Sequence, residues 1–405
     1  MSIQKYIKLI IPILGSIFLL CGCTPDHFDY NKEVILVTGT ESNPLVKFTV
    51  EDTPASYVVT ASATGKVTKD VTVNFEIDTA LVSTYNKANK TSYYAIPASS
   101  VTMDTTKATI HAGTASSTGV TVRVVSTEDF VDGRAYVIPV TIRTVSGADI
   151  QVLGASKTIF LRVSRIIEFS SVDMTNVNFY GNYYADAPVD LPNYTYEIKC
   201  YINGWHAGSE PISRLSNFGP KDESITNLLR FGENGLDINS LQWVTPAGAL
   251  VSTTRFNTGQ WYTISVTFDG NHYYMYVNGV KDAELTGTSG TSFQRLELGM
   301  SYYDSGTPSS SYPYKQRFLG RIAEVRLWKK ALTASEIAVG LCGVDPGATD
   351  LVAYWKFNEG QGFVFNDATG HGYNMDWSKV WQNEIQYNKS SYVNWLYDDN
   401  NKCSQ

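Results

Sequence analysis

Apolar and polar residues alternate with a period of two over much of the first half of the chain. The alternation is clear in residues 71–77, 120–124 and 136–142, where apolar side chains recur at every second position. This period is typical of β-strands that bury one face. Between the first two runs, residues 80–89 predict one short helical turn packed on the sheet. We therefore expect an immunoglobulin-sized β-sandwich over residues 33–165.

The second half of the chain continues the alternation and adds hairpin and helix signals. Residues 261–279 predict two strands joined by an Asp-Gly turn and followed by an Asn-Gly pair, and both pairs tolerate the positive φ of tight turns. A further strand is predicted at residues 318–328. Thr333 with Glu336 forms a capping box, which predicts the start of a helix. These signals predict a second β-rich domain over residues 168–377.

The first 22 residues have the pattern of a targeting segment. Two lysines precede an apolar stretch at residues 9–20, which has the length of a signal peptide and is short for a membrane span. The run Leu-Cys-Gly-Cys at residues 20–23 resembles a bacterial lipoprotein box. This resemblance implies cleavage after residues 1–22, acylation of Cys23 and a short tether over residues 23–32. More than one acyl chain would give stable anchoring; an ordinary secretory signal is the alternative.

A C-terminal tail, residues 378–405, is rich in aromatic residues and is expected to pack on the second domain. Cys403 lies in this tail, and a disulfide with Cys342 would fix it. Three independent thiols, with Cys200 as the third, are the alternative that the sequence leaves open.

The composition excludes several classes of protein. In a chain of 405 residues, 32 Lys and Arg against 39 Asp and Glu give a formal net charge of −7. This negative charge argues against binding to the phosphate backbone of a nucleic acid. Five cysteines without a C-x-x-C pair are too few for a disulfide scaffold and do not form a zinc motif.

Three spaced motifs in the first domain carry a family resemblance. Residues 81–97 contain Leu-Val-Ser-Thr-Tyr-Asn-Lys-Ala-Asn and a later Tyr-Tyr-Ala-Ile-Pro, and they are followed by Ile-His-Ala-Gly at 110–113 and Tyr-Val-Ile-Pro-Val at 136–140. This combination resembles the N-terminal domain of unknown function of many Bacteroidetes surface lipoproteins, in which it precedes glycan-binding or glycosidase modules of Sus-type polysaccharide-utilisation systems. The resemblance implies a spacer or platform without catalytic residues.

Four ordered motifs in the second domain resemble the laminin-G-like branch of the concanavalin A-like superfamily. They occupy residues 261–279, 318–336, 351–362 and 367–372. The resemblance implies a jelly roll of two packed antiparallel sheets, one of them concave, with loops at the rim. The expected fold class is therefore all-β: an Ig-like β-sandwich followed by a concanavalin A-like (LamG) jelly-roll sandwich.

An enzyme is not expected. A glycosidase of this fold needs two carboxylates around the scissile bond, and the E-x-D-x-x-E pattern of the retaining β-glucanases does not occur. Glu233 and Asp237 have the wrong spacing, and Glu324 is interpreted as a surface or rim carboxylate that pairs with Arg326 or Arg321. The five histidines lie outside G-x-S-x-G and H-E-x-x-H settings.

No cofactor is required by this interpretation, although a structural Ca²⁺ ion is considered. Relatives of the laminin-G and pentraxin type often hold one calcium ion at the rim, and Asn366 with Asp367 is the best local oxygen cluster. The alternative is an Asx-turn, in which the Asp367 side chain bonds to its own backbone.

The aromatic content gives the main functional clue, since 13% of the residues are aromatic and 26 are tyrosine. Sugar rings stack on aromatic planes, and loops on a rigid sandwich often carry function. We predict a glycan-binding rim; the alternative is that these rings cap the ends of the core. The predicted glycan-binding residues, all placed in loops or near turns, are Trp205, His206, Trp243, Tyr302, Tyr303 and Tyr314.

The sequence therefore predicts a lipid-anchored outer-membrane protein, exposed at the cell surface, that binds an oligosaccharide or polysaccharide without catalysis. Its expected partners are the glycan, the membrane lipid and components of a Sus-type transporter. An adhesin or other protein-binding module is the alternative, and a divergent glycosidase is a remote one.

Overall fold

The computed structural model describes residues 33–131, 133–175, 181–208, 211–221, 227–233, 235–299, 316–377 and 393–404. Strands dominate these residues, and the all-β prediction is confirmed. The elements divide between two sandwiches, which we call the N-terminal and the C-terminal sandwich.

The N-terminal sandwich is built from strands that pair among themselves in three sheets. The strands are β1 (Val34–Val37), β2 (Leu45–Thr49), β3 (Ala55–Val59), β4 (Ala61–Ala63), β5 (Val71–Ile77), β6 (Tyr94–Ala95), β7 (Val101–Met103), β8 (Lys107–Ile110), β9 (Val120–Val124), β10 (Tyr136–Ser146), β11 (Gln151–Val152) and β12 (Thr158–Ser164), with 3₁₀ turns at Ala98–Ser100 and Gly154–Ser156. The sheet orders are β11-β1-β4, β2-β12-β10-β5-β8 with β6 beside β10, and β3-β9-β7. The predicted helical turn is present as α1 (Leu81–Asn89), and Val82 is its buried residue.

The C-terminal sandwich packs a large sheet against a six-stranded sheet. Its elements are β13 (Ile166–Glu168), β14 (Ser171–Asp173), β15 (Gly181–Leu191), β16 (Tyr194–Ile202), β17 (Ser213–Gly219), β18 (Asn227–Phe231), β19 (Ser240–Thr245), β20 (Gly248–Arg255), β21 (Trp261–Phe268), β22 (His272–Val277), β23 (Val280–Thr286), β24 (Thr291–Leu298), β25 (Gly320–Trp328), α2 (Ala334–Val339), β26 (Leu351–Trp355), β27 (Val364–Phe365), β28 (Met375–Asp376), β29 (Trp395–Leu396) and β30 (Lys402–Ser404). The large sheet, called the eight-stranded sheet, has the order β23-β22-β21-β16-β25-β14-β29 with β26 beside β25. The six-stranded sheet has the order β15-β24-β17-β18-β19-β20.

The local signals in the C-terminal sandwich form as predicted. Asn278 adopts the left-handed conformation between β22 and β23, with φ of 50°. At the start of α2, the Thr333 side chain accepts a hydrogen bond from the backbone N–H of Glu336 at 3.3 Å. The Glu336 carboxylate accepts in return from the backbone N–H of Thr333 at 2.8 Å, which completes the capping box.

A disulfide and two short strands fix the C-terminal tail. The Cys342–Cys403 disulfide is present, with the two Cα atoms 5.5 Å apart, and Cys200 is a free, buried cysteine. β29 pairs with β14 of the eight-stranded sheet, and β30 pairs with β13, the strand that follows the N-terminal sandwich. The described part of the tail therefore lies against the C-terminal sandwich and the connection between the two sandwiches.

The two sandwiches meet at a polar junction. The carboxylate of Asp345 accepts hydrogen bonds from the Tyr94 hydroxyl and the Arg134 Nε, both at 2.8 Å. Gly133 has φ of 80°, and a Cβ added to it would lie 2.0 Å from the carbonyl oxygen of Val344. Only glycine permits this close approach.

Among the described residues, no helix is both long and apolar enough to cross a membrane.

The side of the eight-stranded sheet that faces away from the core holds a buried ionic cluster, formed by Glu197, Glu324, Arg326, Trp328 and Tyr354. Arg326 donates to Glu324 at 2.8 Å and to Glu197 at 3.3 Å. The Trp328 indole donates to Glu197 at 3.0 Å, and the Tyr354 hydroxyl donates to Glu324. Glu324 does pair with Arg326, but its predicted surface or rim position is wrong, because Glu324 is buried within this cluster.

A buried lysine lies beside this cluster. Lys199 is 3% exposed, and its Nζ has no hydrogen-bond partner among the described residues. Its ammonium group lies 4.5 Å from the centroid of the Phe169 ring, a cation–π contact. Burial lowers the pKa of Lys199 to about 8, although the charge of Glu324 opposes the shift.

Lys199→Met is expected to raise the free energy of unfolding at pH 7 by about 2 kcal/mol, because a buried cation is disfavoured. The unfolded chain holds the lysine proton up to about pH 10.5, whereas the folded chain releases it near pH 8. The free energy of unfolding of the wild type should therefore rise between pH 8 and about pH 10.5. By pH 10 the wild type and the variant should differ less in this free energy than they do at pH 7. Urea unfolding at pH 7 and pH 10 measures both effects, with the exposed Lys107→Met as control. A variant less stable than the wild type at pH 7 would contradict this account.

Candidate functional site

The outer face of the six-stranded sheet, the side turned away from the core, carries a group of buried polar residues. Along β19, for example, Leu241 and Trp243 face the core, so that Gln242 between them faces outward. Such residues are expected to be exposed on a sandwich surface, yet these have little exposure. We call them the polar set: Arg214, Asn217, Arg230, Gln242, Arg295 and Glu297.

Strand register brings the polar set together. Arg214 on β17 lies directly opposite Arg230 on β18, and Arg230 lies opposite Gln242 on β19. Asn217 lies opposite Glu297 on β24. Residues opposite each other on neighbouring strands share a face of the sheet. The register shift between Arg214 and Ser216 places Arg214 and Asn217, three positions apart, on the same face.

Amide side chains hold two of the three arginines. The Arg214 Nε donates to the Gln316 Oε1 at 2.6 Å, and the Arg230 Nε donates to the Gln242 Oε1 at 2.9 Å. Arg230 also pairs with Glu233 at 3.0 Å. Burial lowers the pKa of Arg230, and the Glu233 charge opposes this shift.

The rest of the polar set forms a second group of contacts. The Asn217 Nδ2 donates to the Glu297 Oε2 at 2.9 Å, and Arg295 lies 3.9 Å from the other oxygen of the same carboxylate. The two groups together present guanidinium, amide and carboxylate functions on one face. These are the groups that bind ligand hydroxyls and charged substituents.

An exposed aromatic residue borders the polar set. Tyr184 on β15 is 42% exposed and lies opposite Arg295, so it shares the outer face. Its neighbour Tyr183 instead packs against the core and contacts Phe293 and Trp355. Tyr184 is therefore placed to offer a ring face beside polar side chains.

Two of the predicted glycan-binding residues lie beyond the end of β16. Trp205 is half-buried, with its ring centroid 5.2 Å from that of Phe231 on β18. The His206 Nε2 donates to the carbonyl oxygen of Arg317 at 2.7 Å, and Arg317 forms a β-bridge with Arg214. The structure thus brings this loop to the end of β17 and β18 where Arg214 and Arg230 lie. Burial lowers the pKa of His206, so the imidazole is neutral at pH 7.

The predicted rim position of Trp243 is wrong. Its side chain is 0% exposed in the core of the sandwich, with edge-on ring contacts to Tyr194 and Tyr273. The physical reason is the period of β19, which turns this ring inward and its neighbour Gln242 outward. Four further predicted residues lie outside the described residues: Cys23, Tyr302, Tyr303 and Tyr314.

The oxygen atoms of Asp367 are occupied by protein donors. One accepts hydrogen bonds from the backbone N–H groups of Tyr354 and Thr369 at 3.0 and 3.1 Å, and the other accepts from the backbone N–H of Tyr373 at 3.2 Å. The bond to Thr369, two residues on, is that of an Asx-turn. Across the described ranges, no group of three or more His, Cys, Asp or Glu residues could hold a metal ion. Calcium at Asn366 and Asp367 stays a prediction.

Sequence reasoning missed the whole polar set and Tyr184. Polar residues at alternate positions of a strand are the ordinary signal of a solvated face. The available signal was the density of amides and arginines in residues 214–242.

Two family models match separate parts of the chain, one in each sandwich. A family model for an N-terminal domain matches residues 30–149, and one described as the concanavalin A-like lectin/glucanases superfamily matches residues 185–338. No curated protein matches the chain.

A solved structure of similar architecture covers both sandwiches. A Bacteroides ovatus protein described as a "putative carbohydrate binding protein" is 20% identical, with a TM-score of 0.52 over 84% of this chain and 95% of that one. Two other likenesses have TM-scores below 0.5. One is Bacteroides thetaiotaomicron EndoBT-3987 with a Man5GlcNAc product, which is 23% identical with a TM-score of 0.27 over 32% of this chain and 30% of that one. The other is a SAP-like pentraxin from Limulus polyphemus, which is 11% identical with a TM-score of 0.32 over 42% of this chain and 80% of that one.

Proposed function

Since the chain carries a concanavalin A-like lectin/glucanase domain behind its N-terminal domain, we propose that it binds a glycan on the outer face of its six-stranded sheet. The observation that carries this proposal is the exposed ring of Tyr184, which lies on this face opposite Arg295 and beside the polar set. The buried side chains of the polar set hold one another in place on the rigid sheet beneath it.

The chemistry of the face suits a sugar. Guanidinium and amide groups can donate to and accept from hydroxyls in a fixed geometry, because Arg230 and Gln242 already orient each other. Tyr184, on the edge strand β15, can offer a ring plane to the C–H face of a sugar. A ligand could therefore combine hydrogen bonds on the face with stacking at this edge.

We propose that binding occurs without catalysis. Glycoside hydrolysis needs one carboxylic acid and one carboxylate aimed at the scissile bond. In the polar set, the Glu297 carboxylate is engaged by Asn217 and lies near Arg295. Glu233, beside the set, is paired with Arg230. These contacts favour a role in positioning arginines and amides rather than in proton transfer.

The same proposal places the protein at the outer membrane, anchored through Cys23 and exposed at the cell surface. The lipoprotein-like segment at residues 20–23 supports this location. In this arrangement, the N-terminal sandwich acts as the spacer and the C-terminal sandwich presents the glycan to a Sus-type uptake system.

Tyr184→Ala is expected to weaken glycan binding about tenfold, because a stacked ring at a binding site contributes on the order of 1–3 kcal/mol. The matched control is Tyr397→Ala, since Tyr397 is also exposed but lies in the tail beside the other sheet. A glycan array with the purified protein identifies a ligand, and isothermal titration calorimetry measures the affinities. Absence of binding to any glycan, or equal losses in both variants, would contradict the proposal.

A further inference from the structure

A cavity of about 260 Å³ lies between the two sandwiches, and both of them form its walls. Ser92 and Tyr94 come from the N-terminal sandwich, whereas Glu197 and Trp328 come from the eight-stranded sheet. Asp345, which accepts the junction hydrogen bond from Tyr94, lines the cavity as well. The described lining residues include no member of the polar set, so this cavity is distinct from the outer face of the six-stranded sheet.

Three carboxylates on the walls keep room for further hydrogen-bond donors. They are those of Glu197, Glu336 and Asp345. One oxygen of each accepts a single hydrogen bond from the described residues. The donors are, in the same order, the Ser265 hydroxyl at 3.0 Å, the Lys330 ammonium at 2.8 Å and the backbone N–H of Gly347 at 3.0 Å. A carboxylate oxygen has two lone-pair sites. The walls therefore favour a ligand that is rich in O–H donors.

Each of these carboxylates is already paired with a cation. The pairs are Glu197 with Arg326 at 3.3 Å, Glu336 with Lys330 at 2.8 Å and Asp345 with Arg134 at 2.8 Å. A cationic ligand would have to compete with these partners, and an anionic ligand would lie against three carboxylates. The charges of the walls thus favour a neutral ligand.

Apolar side chains form much of the remaining wall. They belong to Trp328, Leu332, Val344 and Ala348, among others. The indole N–H of Trp328 donates to Glu197 at 3.0 Å, so the rest of this side chain offers apolar surface. Small-molecule sites combine such a lining with a few placed polar groups, and they often lie at domain interfaces. Their volumes are typically about 300–1,000 Å³, so this smaller cavity suits one small ring and excludes an oligosaccharide.

We infer that the cavity is a second ligand site, separate from the proposed glycan face, for a neutral polyhydroxylated ring of the size of one monosaccharide. The hydroxyl groups of the ligand donate to Glu197, Glu336 and Asp345, and its C–H groups pack on Trp328. Because the walls come from both sandwiches, the bound ring also strengthens the junction between them.

Isothermal titration calorimetry with the full chain tests this inference. The probes are the neutral compounds D-glucose, D-galactose, D-mannose and myo-inositol, and the charged compounds D-glucosamine and D-glucuronic acid. We expect a neutral compound to bind most tightly and to raise the midpoint of thermal unfolding, since it binds only the folded protein. Tightest binding of a charged compound, or no binding of any probe, would overturn the inference and leave the proposed glycan face standing.

Ser92→Tyr is expected to weaken binding of that compound at least about tenfold, because the larger side chain takes up space at the N-terminal wall. Ser92 is exposed, so the variant should fold as the wild type does. The matched control is Ser42→Tyr, at an exposed serine of the same sandwich that does not line the cavity. Ala348→Leu narrows the cavity from the other sandwich and should also weaken binding.

The two variants separate this cavity from the outer face. An oligosaccharide found on the glycan array should bind to Ser92→Tyr as it does to the wild type, since the outer face is unchanged. Wild-type affinity of both Ser92→Tyr and Ala348→Leu for the neutral compound would place that compound elsewhere and overturn the inference.

Discussion

Replacing Arg326 with methionine is expected to lower the free energy of unfolding by about 3–5 kcal/mol. Arg326 is fully buried and donates to Glu324 at 2.8 Å and to Glu197 at 3.3 Å. Burial lowers the pKa of Arg326, but the charges of Glu197, Tyr354 and Glu324 outweigh burial, and the net shift is upward. Methionine fills much of the space but leaves two buried carboxylates without their cation.

Urea unfolding at pH 7 measures this loss. The matched control is Arg143→Met, because the Arg143 side chain is 69% exposed and its pair with Glu76 is at the surface. A surface pair contributes at most about 1 kcal/mol, so the control should unfold almost as the wild type does. A loss below 1 kcal/mol for Arg326→Met would show that the buried cluster does not stabilise the sandwich.

Trp243→Ala is expected to destabilise the protein by about 3–5 kcal/mol, the cost of emptying an aromatic core site. Trp243 lies between the two sheets, with its ring centroid 5.5 Å from that of Tyr273 and 6.5 Å from that of Tyr194. Thermal unfolding and urea unfolding measure the loss. Protein that remains folded should still bind glycan, because this ring faces away from the outer face.

Tyr184→Ala provides the contrast for Trp243→Ala. Tyr184 is exposed, so its removal should change stability by less than about 1 kcal/mol while it lowers glycan affinity. If Trp243→Ala instead lost binding with its stability unchanged, the core position of Trp243 would be wrong, and the ring would belong to the ligand site.

Much of the fold follows from local patterns in the sequence. The two-residue period in residues 71–77 became β5, and the alternation with Asp-Gly and Asn-Gly near residues 261–279 became the β21–β22 hairpin and its next turn. The capping box at Thr333 began a helix because both of its hydrogen bonds link residues three positions apart. Each of these signals is complete within a short segment.

The polar set could not be predicted in this way, since it depends on contacts between distant segments. Arg214 and Gln316 are separated by 102 positions, and Asn217 and Glu297 by 80. A single strand shows only that such residues face away from the core. Which strands become neighbours, and in which register, decides whether the residues lie apart in solvent or together on one buried face.

Trp243 shows how a local signal misled the prediction. The ring is close to the turn at residues 245–248, and its position near Thr-Pro-Ala-Gly favoured a loop. The alternation of Leu241, Gln242 and Trp243 was the better guide, because a strand that buries Leu241 must also turn Trp243 inward.

A crystal structure of the protein with the tightest-binding glycan from the array tests the central claim most directly. The account predicts that the sugar lies on the outer face of the six-stranded sheet, within hydrogen-bond distance of Arg230 and Gln242, with a ring stacked on Tyr184. A sugar bound instead at the loop of Asn366 and Asp367, or on the eight-stranded sheet, would contradict it.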